Sequence, residues 1–177
     1  MHKRRPKKEY EISPLTMAIL SIEREDGGIS THVLEESQEY IVPKTPTKLI
    51  DEACRFFGST LEGRLEGTRD ISKITHKPPI AIDPSCGLYF FPTASPSSKD
   101  CSWIAHSHVA YIEPFDEDKT EIIFKGGKRL ILDVSYGSMI NQLNRTAQFR
   151  YSLEGRIQSI KSSIHRKSLL LEEILRI

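Results

Sequence analysis

Between about residues 10 and 134 the chain is cut into short runs rich in β-branched and aromatic residues, each closed by proline, glycine or serine. Segments of that length and composition favour strands over helices. The runs are EYEIS, LTMAILSIE, STHVLEE, Tyr40-Ile41-Val42, DISKIT, IAID, LYFFPT, SWIAHSHVAYIE, TEIIFK and RLILDV. Asp26-Gly27-Gly28 reads as a hairpin turn, and Gly126-Gly127 as another between Glu121–Phe124 and Leu130–Leu132. Neighbouring strands joined this way run antiparallel.

Two segments follow a helical period instead. Pro43 and Pro46 break the chain, Thr47 offers an N-cap, and Leu49, Ile50, Ala53, Phe56 and Phe57 then recur on one face until Gly58. From Ser135 or Ser138 onward Leu143, Ala147, Leu153, Ile157, Ile160 and Ile164 return every three or four residues, with Gly155 weakening the middle. Leu169–Ile177 reads as a second, short amphipathic helix whose apolar face closes the core or meets a partner subunit. The expectation is an α+β protein with a mostly antiparallel β-sheet, a short central helix at about 47–57 and basic C-terminal helices. The expected organisation is a basic tail at residues 1–8, an α+β core at 9–134 and a helical region at 135–177.

At 177 residues the chain suits one core. Its 38% hydrophobic and 28% charged content separates it from disordered chains. No apolar run approaches the roughly 18 to 20 residues of a spanning helix, and MHKRRPKKEYEISP has no apolar signal core. Cys54, Cys86 and Cys101 are odd in number, without a CxxC pair, and form no closed disulfide framework. A reducing cytoplasm is therefore expected, with no membrane association. Walker-type, G-x-S-x-G, HExxH and dinucleotide-binding motifs are all missing, which argues against an enzyme.

The formal net charge of +1 conceals segregation. Residues 1–8 carry five bases and no acid; Glu9–Ala53 carry ten acids against Arg24, Lys44 and Lys48; residues 141–177 carry seven bases against Glu154, Glu172 and Glu173. Such asymmetry suggests one side facing nucleic acid and another that is acidic. The candidate DNA contacts are Arg55, Arg64, Arg69, Lys73, His76 and Lys77 in the central basic stretch, with Asn141, Gln142, Arg145 and Arg150 from the long helix. For Arg55 and Arg64 the alternative is a salt bridge to Glu52, Glu62 or Glu66.

No helix-turn-helix is expected, because Gly58, Gly63 and Gly67 interrupt any second helix after Phe57. That favours a sheet-and-loop reader of the minor groove, whose acceptors Asn, Gln and Arg can read and whose negative potential, where the groove is narrow, attracts Arg. Pro78-Pro79-Ile80 is either an apolar wedge or, as favoured here, a loop leading into a strand. His106-Ser107-His108 on a strand would place both imidazoles on one face near Cys86 and Cys101, so Cys101, His106 and His108 are a weak metal candidate without a fourth ligand. Trp103, Phe90 and Phe91 read as core in preference to a stacking platform.

Several segments together resemble the ComK family of competence transcription factors from Gram-positive bacteria. They are Cys54-Arg55-Phe56-Phe57-Gly58-Ser59, Gly63-Arg64 with Gly67-Thr68, Lys73-Ile74, His76-Lys77-Pro78-Pro79-Ile80, Asp83-Pro84-Ser85 and Phe91-Pro92-Thr93. Further along come Trp103-Ile104 with His106 and His108-Val109, Ser135-Tyr136, and Gln142 with Arg145-Thr146-Ala147. The match runs from about Tyr10 to about Arg156.

The resemblance implies a non-enzymatic activator of genes for DNA uptake and natural transformation. Such a protein binds AT-rich boxes in double-stranded DNA through the minor groove, bends the DNA, acts as a dimer or tetramer, and recruits or stabilises RNA polymerase. It also implies a protease adaptor as partner and no cofactor. The ending IHRKSLLLEEILRI departs from the family's aromatic and Pro-Lys adaptor-binding segment, which leaves the adaptor contact open. Two other classes stay open, a single-stranded nucleic-acid binder and a metal-dependent hydrolase using the H-x-H pair.

Overall fold

The computed structural model describes residues 4–175, and its strands form hairpins where the sequence supplies turns. β1 (Arg5–Pro6) is a two-residue edge strand, and β2 (Thr16–Glu23) turns back into β3 (Ile29–Glu35) through Asp26-Gly27. Gly27 has φ +77°, a value that glycine adopts freely, and Asp26 Oδ1 accepts from the Gly28 N–H at 2.9 Å. β3 pairs with β4 (Glu39–Val42), and β1 lies parallel to β4. After two helices come β5 (Ile80–Asp83), β6 (Leu88–Pro92) and β7 (Trp103–Ala105), giving a seven-stranded sheet in the order β1-β4-β3-β2-β7-β6-β5. Every pairing in it except β1 with β4 is antiparallel.

β8 (Val109–Pro114), β9 (Thr120–Phe124) and β10 (Arg129–Leu132) form a separate antiparallel sheet in the order β10-β9-β8. The run SWIAHSHVAYIE is thus not one strand. A 3-10 turn at His106–His108 carries the chain from the large sheet into the small one.

Alternate residues of the middle strands explain why those strands read as continuous apolar runs. Ile19, Phe90 and Trp103 pack on one face against Leu49, Ile50, Cys54 and Leu61, whereas Ala18, Phe91 and Ile104 pack on the other against Ile112, Ile122, Phe124 and Met139. A sheet covered on both faces needs no polar alternation. The α+β expectation holds, with the large sheet as the middle layer.

The helices differ more from expectation. α1 (Pro46–Phe56) is capped two residues early: Thr45, not Thr47, is the N-cap, accepting from Lys48 N–H, and Pro46 takes the first turn, where it loses no helical bond. Gly58, at φ +75°, follows the helix end as foreseen. α2 (Leu61–Ser72) forms across Gly63 and Gly67, where the sequence predicts an interruption. Thr60 caps it by accepting from Gly63 N–H at 3.0 Å, and Leu61, Leu65, Thr68 and Ile71 supply an inward face. Helix therefore consumes the start of DISKIT, and Ile74 is buried in the loop that follows.

EYEIS is also not a strand, although Tyr10 and Ile12 point inward; the edge beside β4 is taken by β1. α3 (Tyr136–Leu175) is one helix of 40 residues, not two, and runs through Gly155. Its first half joins the core through Met139 and Phe149, while Ile160 and Ile164 in its second half are exposed. Among the described residues no helix is long and apolar enough to cross a membrane.

Candidate nucleic-acid interface

α1 and α2 are joined by only four residues, 57–60, so a helix pair exists where none was expected. Asp51 holds the junction: its Oδ1 accepts from Leu61 N–H at 2.9 Å and its Oδ2 from Arg55 Nε at 2.8 Å. Those donors, the Leu61 amide first, keep the Asp51 carboxyl below its ordinary range. Arg55 is thus half of a surface ion pair, with Asp51 and not Glu52, Glu62 or Glu66. Arg64 pairs with none of them either; its Nη2 donates to the Phe57 carbonyl at 3.3 Å and caps α1.

Glu62, Glu66 and Asp70 are exposed on α2 at a spacing of four. A carboxylate stripe repels phosphate, so this face of α2 is unsuited to lie against a nucleic-acid backbone.

The basic loop after α2 has a different character. Lys73 (φ +61°) and Lys77 (φ +45°) both adopt left-handed backbone, a conformation that costs a residue with a Cβ about 1 kcal/mol or more. Lys73 is held as the C-cap of α2, its N–H donating to the Arg69 carbonyl at 2.9 Å, and hydrogen bonds from α3 hold the far end of the loop. Gln142, 4% exposed, donates through Nε2 to the Lys77 carbonyl at 3.1 Å and the Pro92 carbonyl at 2.7 Å. Arg145 donates through Nη2 to the His76 carbonyl and through Nη1 to Gln142 Oε1 at 3.1 Å.

Gln142 and Arg145 are therefore the clamp of the loop, not free contacts. Lys73 and His76 are exposed and Lys77 half-buried. On the adjoining flank of α3 lie exposed Asn141, Asn144 and Gln148, which share a stripe with Arg145 at positions i, i+3, i+4 and i+7. Loop cations and helix amides form one ledge. Asn144 and Gln148 were missed by sequence reasoning, yet the recurrence of Asn and Gln at helical spacing was a readable signal.

The remaining candidates are dispersed. Arg150 bonds Glu154 Oε1 at 2.7 Å and Ser107 Oγ at 3.1 Å and lies 4.9 Å from the Tyr89 ring centroid. It ties α3 to the large sheet. Arg69 is half-buried in the last turn of α2, in an open groove shared with Thr45, Lys48 and Pro96, and makes no ion pair among the described residues. Pro78, Pro79 and Ile80 are all buried, so they cannot wedge between bases. Phe90, Phe91 and Trp103 are fully buried and cannot stack on them.

The histidines separate for a geometric reason. Three residues per turn set positions i and i+2 about 240° apart, so the same-face argument of a strand fails. His108 Nε2 donates to the Pro14 carbonyl at 2.7 Å, while His106 Nδ1 is buried without a partner among the described residues. Cys101 is buried and its thiol pushed up to about 11 by desolvation. Among the described residues no group of three or more His, Cys, Asp or Glu could hold a metal. Cys101, His106 and His108 do not assemble.

The chain that carries this clamped loop is similar in sequence to known proteins. The chain fits the family model described as ComK protein over residues 7–158. It belongs to the ComK family. It is 41% identical over 152 residues to the competence transcription factor of Bacillus subtilis (strain 168), covering 86% of this chain and 79% of that protein. No solved structure matches it. The ComK match contains α2, the basic loop and the amide stripe, and it ends within α3.

Proposed function

We propose that this ComK-family chain activates transcription of competence genes by binding AT-rich double-stranded DNA with the ledge formed by the 73–77 loop and the middle of α3. The observation that carries this reading is the fixation of that loop: Gln142 and Arg145 of α3 bond the His76 and Lys77 carbonyls, leaving Lys73, His76 and Lys77 beside Asn141, Asn144 and Gln148. The relative named a competence transcription factor supports the same role. Cations neutralise phosphates, and amides suit a groove that presents acceptors at A·T pairs. A narrow AT-rich minor groove adds negative potential to draw Lys73 and Lys77 inward, and bending would bring more protein surface onto the duplex. A pair of dimers on such DNA would then recruit or stabilise RNA polymerase.

Gel shifts on an AT-box duplex across a salt series test this. Lys73→Ala and Lys77→Ala should each flatten the salt dependence by about one ion per lost contact. A minor-groove-binding dye should displace the protein. Unchanged slopes for both variants would remove the loop from the interface, and tighter binding to oligo-dT than to duplex would favour the single-strand reading.

A further inference from the structure

On the acidic side a cavity of about 280 Å³ lies between the extended segment 9–12 and the C-terminal half of α1. Tyr10, Ile12 and Ala53, each less than a tenth exposed, belong to its lining, together with Phe56 and Phe57, whose rings meet edge to face at 5.0 Å between centroids. Phe56 is 78% exposed. A single exposed aromatic is ordinary, but one beside an apolar cavity of this size is a binding feature. About 150 Å³ already suffices for benzene. The cavity therefore has room for one aromatic or branched aliphatic side chain.

Its rim fixes the charge of what enters. Glu9, Glu11 and Glu52 line it, and Lys44 Nζ bonds both Glu9 and Glu52, the latter at 2.9 Å. Three carboxylates against one ammonium leave the rim negative, and it stays negative when Lys7 is counted. Lys7 makes no ion pair among the described residues and lies 5.3 Å from the ring centroid of Tyr10, which lines the cavity, and 4.9 Å from that of Tyr40 behind it, so an aromatic ring of the lining already accepts a cation. Nucleic acid is repelled by such a rim.

We infer that this groove docks a short segment of a partner protein, an aromatic or branched aliphatic anchor flanked by Lys or Arg. The anchor fills the space beside Phe56 and Phe57, and its flanking cations pair with Glu9, Glu11 and Glu52. The site is built from different residues than the DNA ledge. Each can be removed while the other is kept.

Panning short random peptides displayed on phage against the full chain tests the assignment. Enriched peptides should carry an aromatic or branched aliphatic residue beside Lys or Arg. A synthetic copy of the leading peptide should lose about tenfold or more in affinity to Phe56→Ser and to Glu11→Lys, both exposed positions. AT-duplex binding by these variants should be unchanged. No enrichment, enrichment of acidic sequences, or equal affinity for the variants would overturn the proposal. A drop in the sedimenting mass of the free chain on Phe56→Ser would make the occupant a second copy, and loss of duplex binding would make it DNA; either also overturns it.

Discussion

Gln142 and Lys73 were candidates of one kind in the sequence and have opposite roles in the fold. Gln142→Ala leaves the Lys77 and Pro92 carbonyls without their donor, in a buried place, at a cost of about 1–3 kcal/mol. In a chain of this size that lowers Tm by several degrees, about 2–4 °C per kcal/mol, readable by calorimetry. Lys73→Ala should leave Tm within about 1 °C and change only the salt dependence of DNA binding. The residue types of the loop were legible because cations among turn formers stand out. The roles of Gln142, Arg145 and Arg150 were not, because their partners Lys77, His76 and Ser107 are 65, 69 and 43 residues away. His106 adds a pH dependence. Burial, then Arg150 and Lys125, hold its pKa below the ordinary 6.5. The unfolded chain therefore binds the proton more readily, and stability is lost as pH falls below about 6.5 towards the folded value. Tm should drop between pH 7.5 and 5.5, and His106→Gln should flatten that drop; an unaltered profile would show that other groups carry it.

At the scale of elements, glycine misled and burial corrected. Gly63 and Gly67 each cost a helix about 1 kcal/mol relative to alanine, yet Leu61, Leu65, Thr68 and Ile71 repeat at helical spacing, and Thr60 caps the start. Packing outweighs propensity there. A Cβ at Gly67 meets nothing within 4 Å, so Gly67→Ala should stabilise by about 0.5–1 kcal/mol, whereas Gly58→Ala, at φ +75°, should destabilise by a similar amount. Opposite shifts in thermal unfolding check both. The hairpins at Gly27 and Gly127 were legible because glycine there serves a turn that demands positive φ. The strand break at His106–His108 was not: no proline or glycine marks it, and the residues on either side are equally apolar because both sheets bury their inner faces.

For the molecule as a whole, the antiparallel α+β architecture was readable from run length and punctuation, but the length of α3 changes what that architecture can do. A helix of 40 residues spans about 60 Å, and only its first half is spent on the core. Beyond it Ile157 is half-buried and Ile160 and Ile164 are exposed, continuing the three-and-four spacing of Met139, Gln142, Thr146, Phe149 and Leu153. Exposed Lys161, Arg166 and Lys167 accompany them. The dimer proposed above would use this apolar seam, and pairing two chains along it would carry two of the proposed DNA ledges on one particle. Two linked ledges bind through avidity, which exceeds single-site affinity by on the order of 10² when both reach the duplex. The double variant Ile160→Asp/Ile164→Asp should therefore sediment as a monomer, keep its circular-dichroism helix content, and lose on the order of 10² in affinity for a two-box duplex while binding a single box as before. Equal sedimentation of variant and parent, or equal loss on one box and two, would show that α3 does not join the copies.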